Sequence, residues 1–139
     1  MLICETYNSF FKLCNTNLSI SVHFWYVAIP LQIKFNKMKD SKNCIDACLA
    51  CVVTCESCIT DCIKDGNQAC IILCRDCADI CALCARLEAR GSQFAKELCA
   101  LCVKVCTACA EECSKHASHH ESCKACTEAC KKCAASCAS

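Results

Sequence analysis

Six cysteines, Cys44, Cys48, Cys51, Cys55, Cys58 and Cys62, follow one another at alternating gaps of four and three residues. The rhythm returns three times: in Cys70, Cys74, Cys77, Cys81 and Cys84, in Cys99, Cys102, Cys106, Cys109 and Cys113, and in Cys123, Cys126, Cys130, Cys133 and Cys137. These runs hold 21 of the 23 cysteines, and thiolate is a soft ligand that selects Cu(I), Zn(II) or iron-sulfur clusters. Structural zinc takes four ligands from two clustered pairs, and the sequence shows no grouping by fours. Cluster-binding ferredoxins wrap loop runs such as C-x2-C-x2-C-x3-C-P around a compact cofactor, and no such run occurs. Cu(I), with low coordination numbers and bridging thiolates, can instead be strung along a continuous stripe of sulfur. If each copper takes about two thiolates and each thiolate bridges about two coppers, the core fills at about one copper per cysteine, which leaves it nearly neutral.

The stripe defines the elements that carry it. Residues three and four apart share one face of an α-helix, and a 4-3 alternation is the a/d seam by which bundle helices face each other. Cysteine therefore stands where Leu and Ile normally stand. Asp40 or Ser41 is expected to cap a first helix ending at Asp65-Gly66, and a second runs from about Asn67 to Arg90 before Gly91. Ser92 is expected to cap a third that continues through Lys115, and after the polar link His116–Glu121 a fourth reaches Ser136. Links this short make sequential helices antiparallel, so the fold class is an all-α, up-down-up-down four-helix bundle with a cysteine-lined core. That topology gathers Cys62, Cys70, Cys113 and Cys123 at one pole with Asp61, Asp65, Asn67, His116, His119 and His120. The other pole gathers Cys44, Cys84, Cys99 and Cys137 with Leu87, Phe94 and Leu98, an expected apolar plug.

Composition agrees with one helical domain. The chain has 139 residues, two glycines, one proline and a formal net charge of +1. Acids and bases are interspersed, so no basic stripe points to nucleic acid. A disulfide scaffold is the usual reading of such cysteine content, but Cβ atoms of helical a/d neighbours lie about 5–6 Å apart where a disulfide needs about 3.8 Å. Ile45, Val52 and Ile59, like Leu98 and Val105, recur every seven residues beside the seam, and are expected to pack on the bundle flank or, in preference, against another subunit.

Residues 1–37 differ from the remainder: they hold most of the aromatic residues, Pro30, and no thiol rhythm. The uncharged stretch from Leu13 to Ile33 is diluted by polar residues and Pro30, which argues against a membrane span. We expect 1–37 to be an N-terminal extension outside the functional protein, with Cys4, Cys14 and His23 incidental, and 38–139 to be the metal-storage domain.

The segments Cys44-Ile-Asp-Ala-Cys48-Leu-Ala-Cys51, Cys74-Arg-Asp-Cys77-Ala-Asp-Ile-Cys81-Ala-Leu-Cys84, Cys99-Ala-Leu-Cys102, Cys109-Ala-Glu-Glu-Cys113-Ser-Lys-His116 and Cys123-Lys-Ala-Cys126-Thr-Glu-Ala-Cys130-Lys-Lys-Cys133 closely resemble the bacterial copper storage proteins. The resemblance covers about residues 38–139. It implies a bundle that stores many Cu(I) ions on all 21 stripe cysteines, assembles as a homotetramer and, without twin arginines, belongs to the cytosolic branch. It also matches His116 to the family's histidine at the end where copper is thought to enter, with His119 and His120 matching less closely. A solvated polar turn is the alternative reading of these histidines.

Two other functions remain open at this level. One is a thiol oxidoreductase or iron-sulfur electron carrier, prompted by the C-x2-C pairs, although the βαβ context of redox pairs is missing. The other is a protein that sequesters zinc or cadmium. No Ser-His-Asp, paired-carboxylate or Gly-rich phosphate constellation occurs, so the expectation is a binding protein and not an enzyme.

Overall fold

The computed structural model describes residues 21–138, with side chains from Asp40 to Ala138. Cys4 and Cys14, and the side chain of His23, lie outside this description. The chain divides into two units, Met1–Lys37 and Met38–Ser139, and the thiol bundle belongs to the second.

Four helices follow in order: α1 (Ser21–Asp65), α2 (Gln68–Ala89), α3 (Ala95–Ser114) and α4 (Glu121–Cys137). Their internal boundaries follow local chemistry. Gly66 and Gly91 close α1 and α2 with φ of 68° and 62°, the left-handed conformation that glycine adopts without steric cost. Asn67 caps α2, its side-chain oxygen accepting the Cys70 amide at 3.3 Å.

Three expected boundaries are corrected. The first helix does not start at Asp40 or Ser41: the chain is already helical from Ser21, the first described residue, and no glycine or proline interrupts it between Pro30 and Gly66. Ser41 is consequently helical, and its hydroxyl donates to Glu88 Oε2 at 2.7 Å. Ser92 does not cap α3; Phe94 holds that position, while the Ser92 hydroxyl accepts the Phe94 amide at 3.3 Å within the preceding turn. The third helix ends at Ser114, one residue before the expected Lys115.

The core is built almost entirely from small side chains. All 21 stripe cysteines are buried, most with no exposed surface, and Ala47, Ala78, Ala85 and Ala110 join them. Small residues let the helices approach closely enough for sulfurs from different helices to touch. Larger apolar residues close the flanks. Ile59 is buried, and Ile45, Val52, Leu98 and Val105 are partly buried against the core. Ile59 is thus buried within the single chain, while the other four keep part of their surface exposed. The exposed apolar side chains are others: Leu49, Val53, Ile63, Ile72, Leu83, Phe94 and Leu101. Full burial of an aliphatic side chain such as Ile59 is worth about 1.5–3 kcal/mol, and protonated thiols act as additional small hydrophobes.

Among the described residues, the part of α1 from Asp40 to Asp65 is long and apolar enough to cross a membrane by length and composition. Its seam, however, is the thiol stripe, which faces the bundle core.

Candidate metal centre

Each helix turns its cysteines inward because the 4-3 rhythm keeps them on one face. The sulfurs then meet across the bundle at contact distance. Cys51 Sγ lies 3.4 Å from Cys130 on α4 and 3.6 Å from Cys77 on α2. Cys81 lies 3.6 Å from Cys102 and 3.5 Å from Cys106, both on α3. Cys74 reaches Cys109 at 3.7 Å, and Cys55 reaches Cys126 at 3.6 Å. All 21 stripe thiols are free, so the expectation against disulfides holds for the described cysteines.

Grouping by fours, absent from the linear sequence, emerges in space. Cys48, Cys81, Cys102 and Cys133 form one layer with all sulfurs within 4.8 Å of one another, drawn from all four helices. Cys55, Cys74, Cys109 and Cys126 form another, also one from each helix. Between them, two groups share Cys51 and Cys77, one adding Cys81 and Cys106 and the other Cys55 and Cys130. Sharing makes the groups a continuous tube of sulfur: a metal held in one layer has thiolates of the next within reach. The register responsible spans four helices and cannot be counted along the chain.

At the histidine end of the empty tube, burial keeps Cys62, Cys70 and Cys123 protonated. Burial pushes the thiol of Cys123 up to about 12, with Cys58 beside it adding to the effect. Burial raises Cys62 and Cys70 in the same direction. A metal cation that displaces the proton compensates the thiolate it creates, which is why thiolate forms here with a cation and not alone.

The two poles differ. At the first, Cys58 lies 3.5 Å from Cys123, 3.8 Å from Cys70 and 3.9 Å from Cys113, while Cys62 lies 3.9 Å from Cys123. His116 Nε2 stands 2.7 Å from Asn67 Nδ2 and 3.7 Å from Glu112 Oε1. Because Asn67 Oδ1 accepts the Cys70 amide, its Nδ2 donates to His116, and Nε2 receives with its lone pair. His120 Nε2 lies 2.9 Å from Asp65 Oδ2, linking the start of α4 to the end of α1. His119 is exposed. The Lys64 ammonium at 2.9 Å holds the Asp61 carboxyl below its usual range, so that group faces a cation outside the tube.

At the second pole, Cys44 lies 2.8 Å from Cys137 and 3.9 Å from Cys99, and Cys84 lies 3.4 Å from Cys99. The expected gathering of these four cysteines is met, but the apolar plug is not. Phe94 is 62% exposed, leaving only Leu87 buried and Leu98 partly buried. This end also carries an oxygen donor. Glu88, four residues beyond Cys84 on the same helix, aims Oε1 at Cys99 Sγ, 3.3 Å away. Sequence reasoning passed over Glu88 because it is not a cysteine; it occupies the next position of the 4-3 rhythm after Cys84, and that spacing was the signal that could have found it.

The profile of a family described as "Copper storage protein" matches residues 37–139. The chain belongs to the copper storage protein family. An uncharacterised cysteine-rich protein of Bacillus subtilis, YhjQ, is 46% identical over 84 residues, which cover 58% of this chain and 78% of that one. Among solved structures of the family, the Cu(I)-bound copper storage protein 3 of Bacillus subtilis is 44% identical with a TM-score of 0.67, over 71% of this chain and 95% of the other. A cytosolic copper storage protein from Streptomyces lividans, caught during loading with five coppers, is 32% identical with a TM-score of 0.70, over 73% and 92% of the two chains. At these identities the similarity is one of family as well as of fold.

Proposed function

We propose that this protein stores and buffers Cu(I), holding many cuprous ions on the thiolates of its four-helix bundle. The observation that carries the reading is the unbroken series of shared four-sulfur layers, in which Cys48, Cys51, Cys55, Cys77 and Cys81 each serve two groups. Shared sulfurs suit a metal that accepts bridging thiolates and low coordination numbers. Isolated tetrahedral zinc sites or a single iron-sulfur cluster would leave most of the tube unused.

The ligands are all 21 stripe cysteines: Cys44 to Cys62 on α1, Cys70 to Cys84 on α2, Cys99 to Cys113 on α3 and Cys123 to Cys137 on α4. Copper enters at the pole of His116 and His120, with His119 on its outer surface. Imidazole and thiolate pass a soft ion inward, and the Asn67–His116 contact marks the point where the mouth meets the first sulfurs. The role is binding without catalysis. The compartment is the cytosol, which keeps unpaired thiols reduced, in line with the cytosolic protein of Streptomyces lividans. Leu49, Val53, Ile72, Leu83 and Leu101 expose apolar surface suited to burial between copies in a homotetramer. Storage needs only residues 38–139, the extension 1–37 being dispensable.

Removing one layer tests the ligand assignment. Replacing Cys55, Cys74, Cys109 and Cys126 together by alanine should lower Cu(I) capacity by about four ions at about one copper per cysteine, leaving the layers that do not use Cys55 loaded. Unchanged capacity would show that this layer does not hold copper.

A further inference from the structure

The pole opposite the histidines carries an oxygen donor that Cu(I) storage does not use. We propose that Cys44, Cys84 and Cys99 together with Glu88 form a site for a borderline divalent cation of the zinc type in the copper-free protein. The inference goes beyond copper storage, whose sulfurs it shares, because it rests on a carboxylate with which Cu(I) has little affinity.

The geometry suits four-coordination. With Zn–S about 2.3 Å and Zn–O about 2.1 Å, a tetrahedral site has S···S edges of about 3.8 Å and S···O edges of about 3.6 Å. Cys84 and Cys99 are 3.4 Å apart, Cys44 and Cys99 3.9 Å, and Glu88 Oε1 lies 3.3 Å from Cys99 Sγ. Cys44 and Cys84 belong to one group whose sulfurs all lie within 4.8 Å. Each of these four edges is within a few tenths of an ångström to an ångström of a zinc site, a range that rotamer adjustment covers.

The carboxylate is held in place. Ser41 donates its hydroxyl to Glu88 Oε2 at 2.7 Å, which leaves Oε1 directed at the sulfurs. A ligand carboxylate anchored through its second oxygen is the usual support of a metal site. The three cysteines come from α1, α2 and α3, so one ion would clamp three helices at this end.

The site also differs from the all-sulfur layers in a way that favours a divalent ion. Taking a dication into a layer such as Cys55, Cys74, Cys109 and Cys126 means losing four thiol protons in a fully buried place and leaves two net negative charges there. At Glu88 only three thiols give up protons to solvent while three metal–sulfur bonds and one metal–oxygen bond form. The residual charge sits at the bundle end, where Glu88 is half-buried and Cys99 keeps some exposure, so water screens it.

Equilibrium dialysis of the reduced, copper-free full chain against limiting Zn(II), with metal counting, tests the proposal beside the Glu88→Gln variant. Wild type should bind the first zinc at least about tenfold more tightly than the variant, the effect expected for loss of an anchored ligand. X-ray absorption of the one-zinc protein should show a shell of three sulfurs and one light atom. Cu(I) capacity measured on both proteins should be equal, which also reports that the variant is folded. Equal zinc affinity in the two proteins, a four-sulfur shell in wild type, or no zinc retained by wild type would each overturn the proposal.

Discussion

Asn67 Nδ2 and His116 Nε2 stand 2.7 Å apart, joining the start of α2 to the end of α3 across the mouth of the sulfur tube. The same asparagine caps α2 through Oδ1, so one side chain fixes both a helix terminus and the orientation of an imidazole. Asn67→Ala should destabilise the copper-free protein by about 1 kcal/mol through loss of the cap, and Asn67→Asp should restore most of it. Chemical denaturation of the three proteins measures both effects.

Entry at this pole is a statement about rate. Replacing His116, His119 and His120 by alanine should slow uptake from a chelated Cu(I) donor several-fold while leaving final capacity unchanged, because the storage ligands lie deeper. His119 alone, exposed as it is, should contribute least of the three. Stopped-flow transfer from the chelator gives the rates, and an unaltered rate in the triple variant would move the door elsewhere.

The raised thiols predict how stability depends on pH. Cys123 titrates at about 12 in the folded chain against an ordinary 9.0, and burial moves Cys62 and Cys70 the same way. Between these values the unfolded thiols have lost protons that the folded ones retain, so stability falls as pH rises. The contribution of these three thiols should therefore be full below about pH 9, with that of Cys123 lost as pH rises through about 12. Thermal melts across that range should show the decline.

Much of this organisation is legible in the sequence because the cysteine rhythm is both the helical signal and the ligand set. Cys44 to Cys62 alone give the period, the face and the soft-metal chemistry. Gly66, Gly91 and Asn67 mark the internal breaks by residue type. The start of α1 was not legible: capping residues such as Asp40 and Ser41 act as caps only where the chain upstream leaves the helix, and here it continues to Ser21. The second pole was misjudged for a related reason. Phe94 was placed by hydrophobicity in a plug, but as the residue that precedes α3 it projects outward, and the inward position falls to Glu88. Layers of four are invisible in a single chain segment, since each layer takes one or two residues from each contributing helix.

A chain beginning at Met38 should remain helical and bind as much Cu(I) as the full chain, because every stripe cysteine lies beyond that point. Circular dichroism and metal counting on the shortened protein check this. Reduced capacity would give the N-terminal segment a part in storage.

The most direct measurement is anaerobic Cu(I) titration of the fully reduced protein, with bound metal and free thiols counted together. Shared four-sulfur layers predict saturation at about one copper per stripe cysteine, near 21 ions, with thiol reactivity disappearing in step. Saturation after only a few ions, with most of the 21 thiols still reactive, would contradict storage throughout the tube.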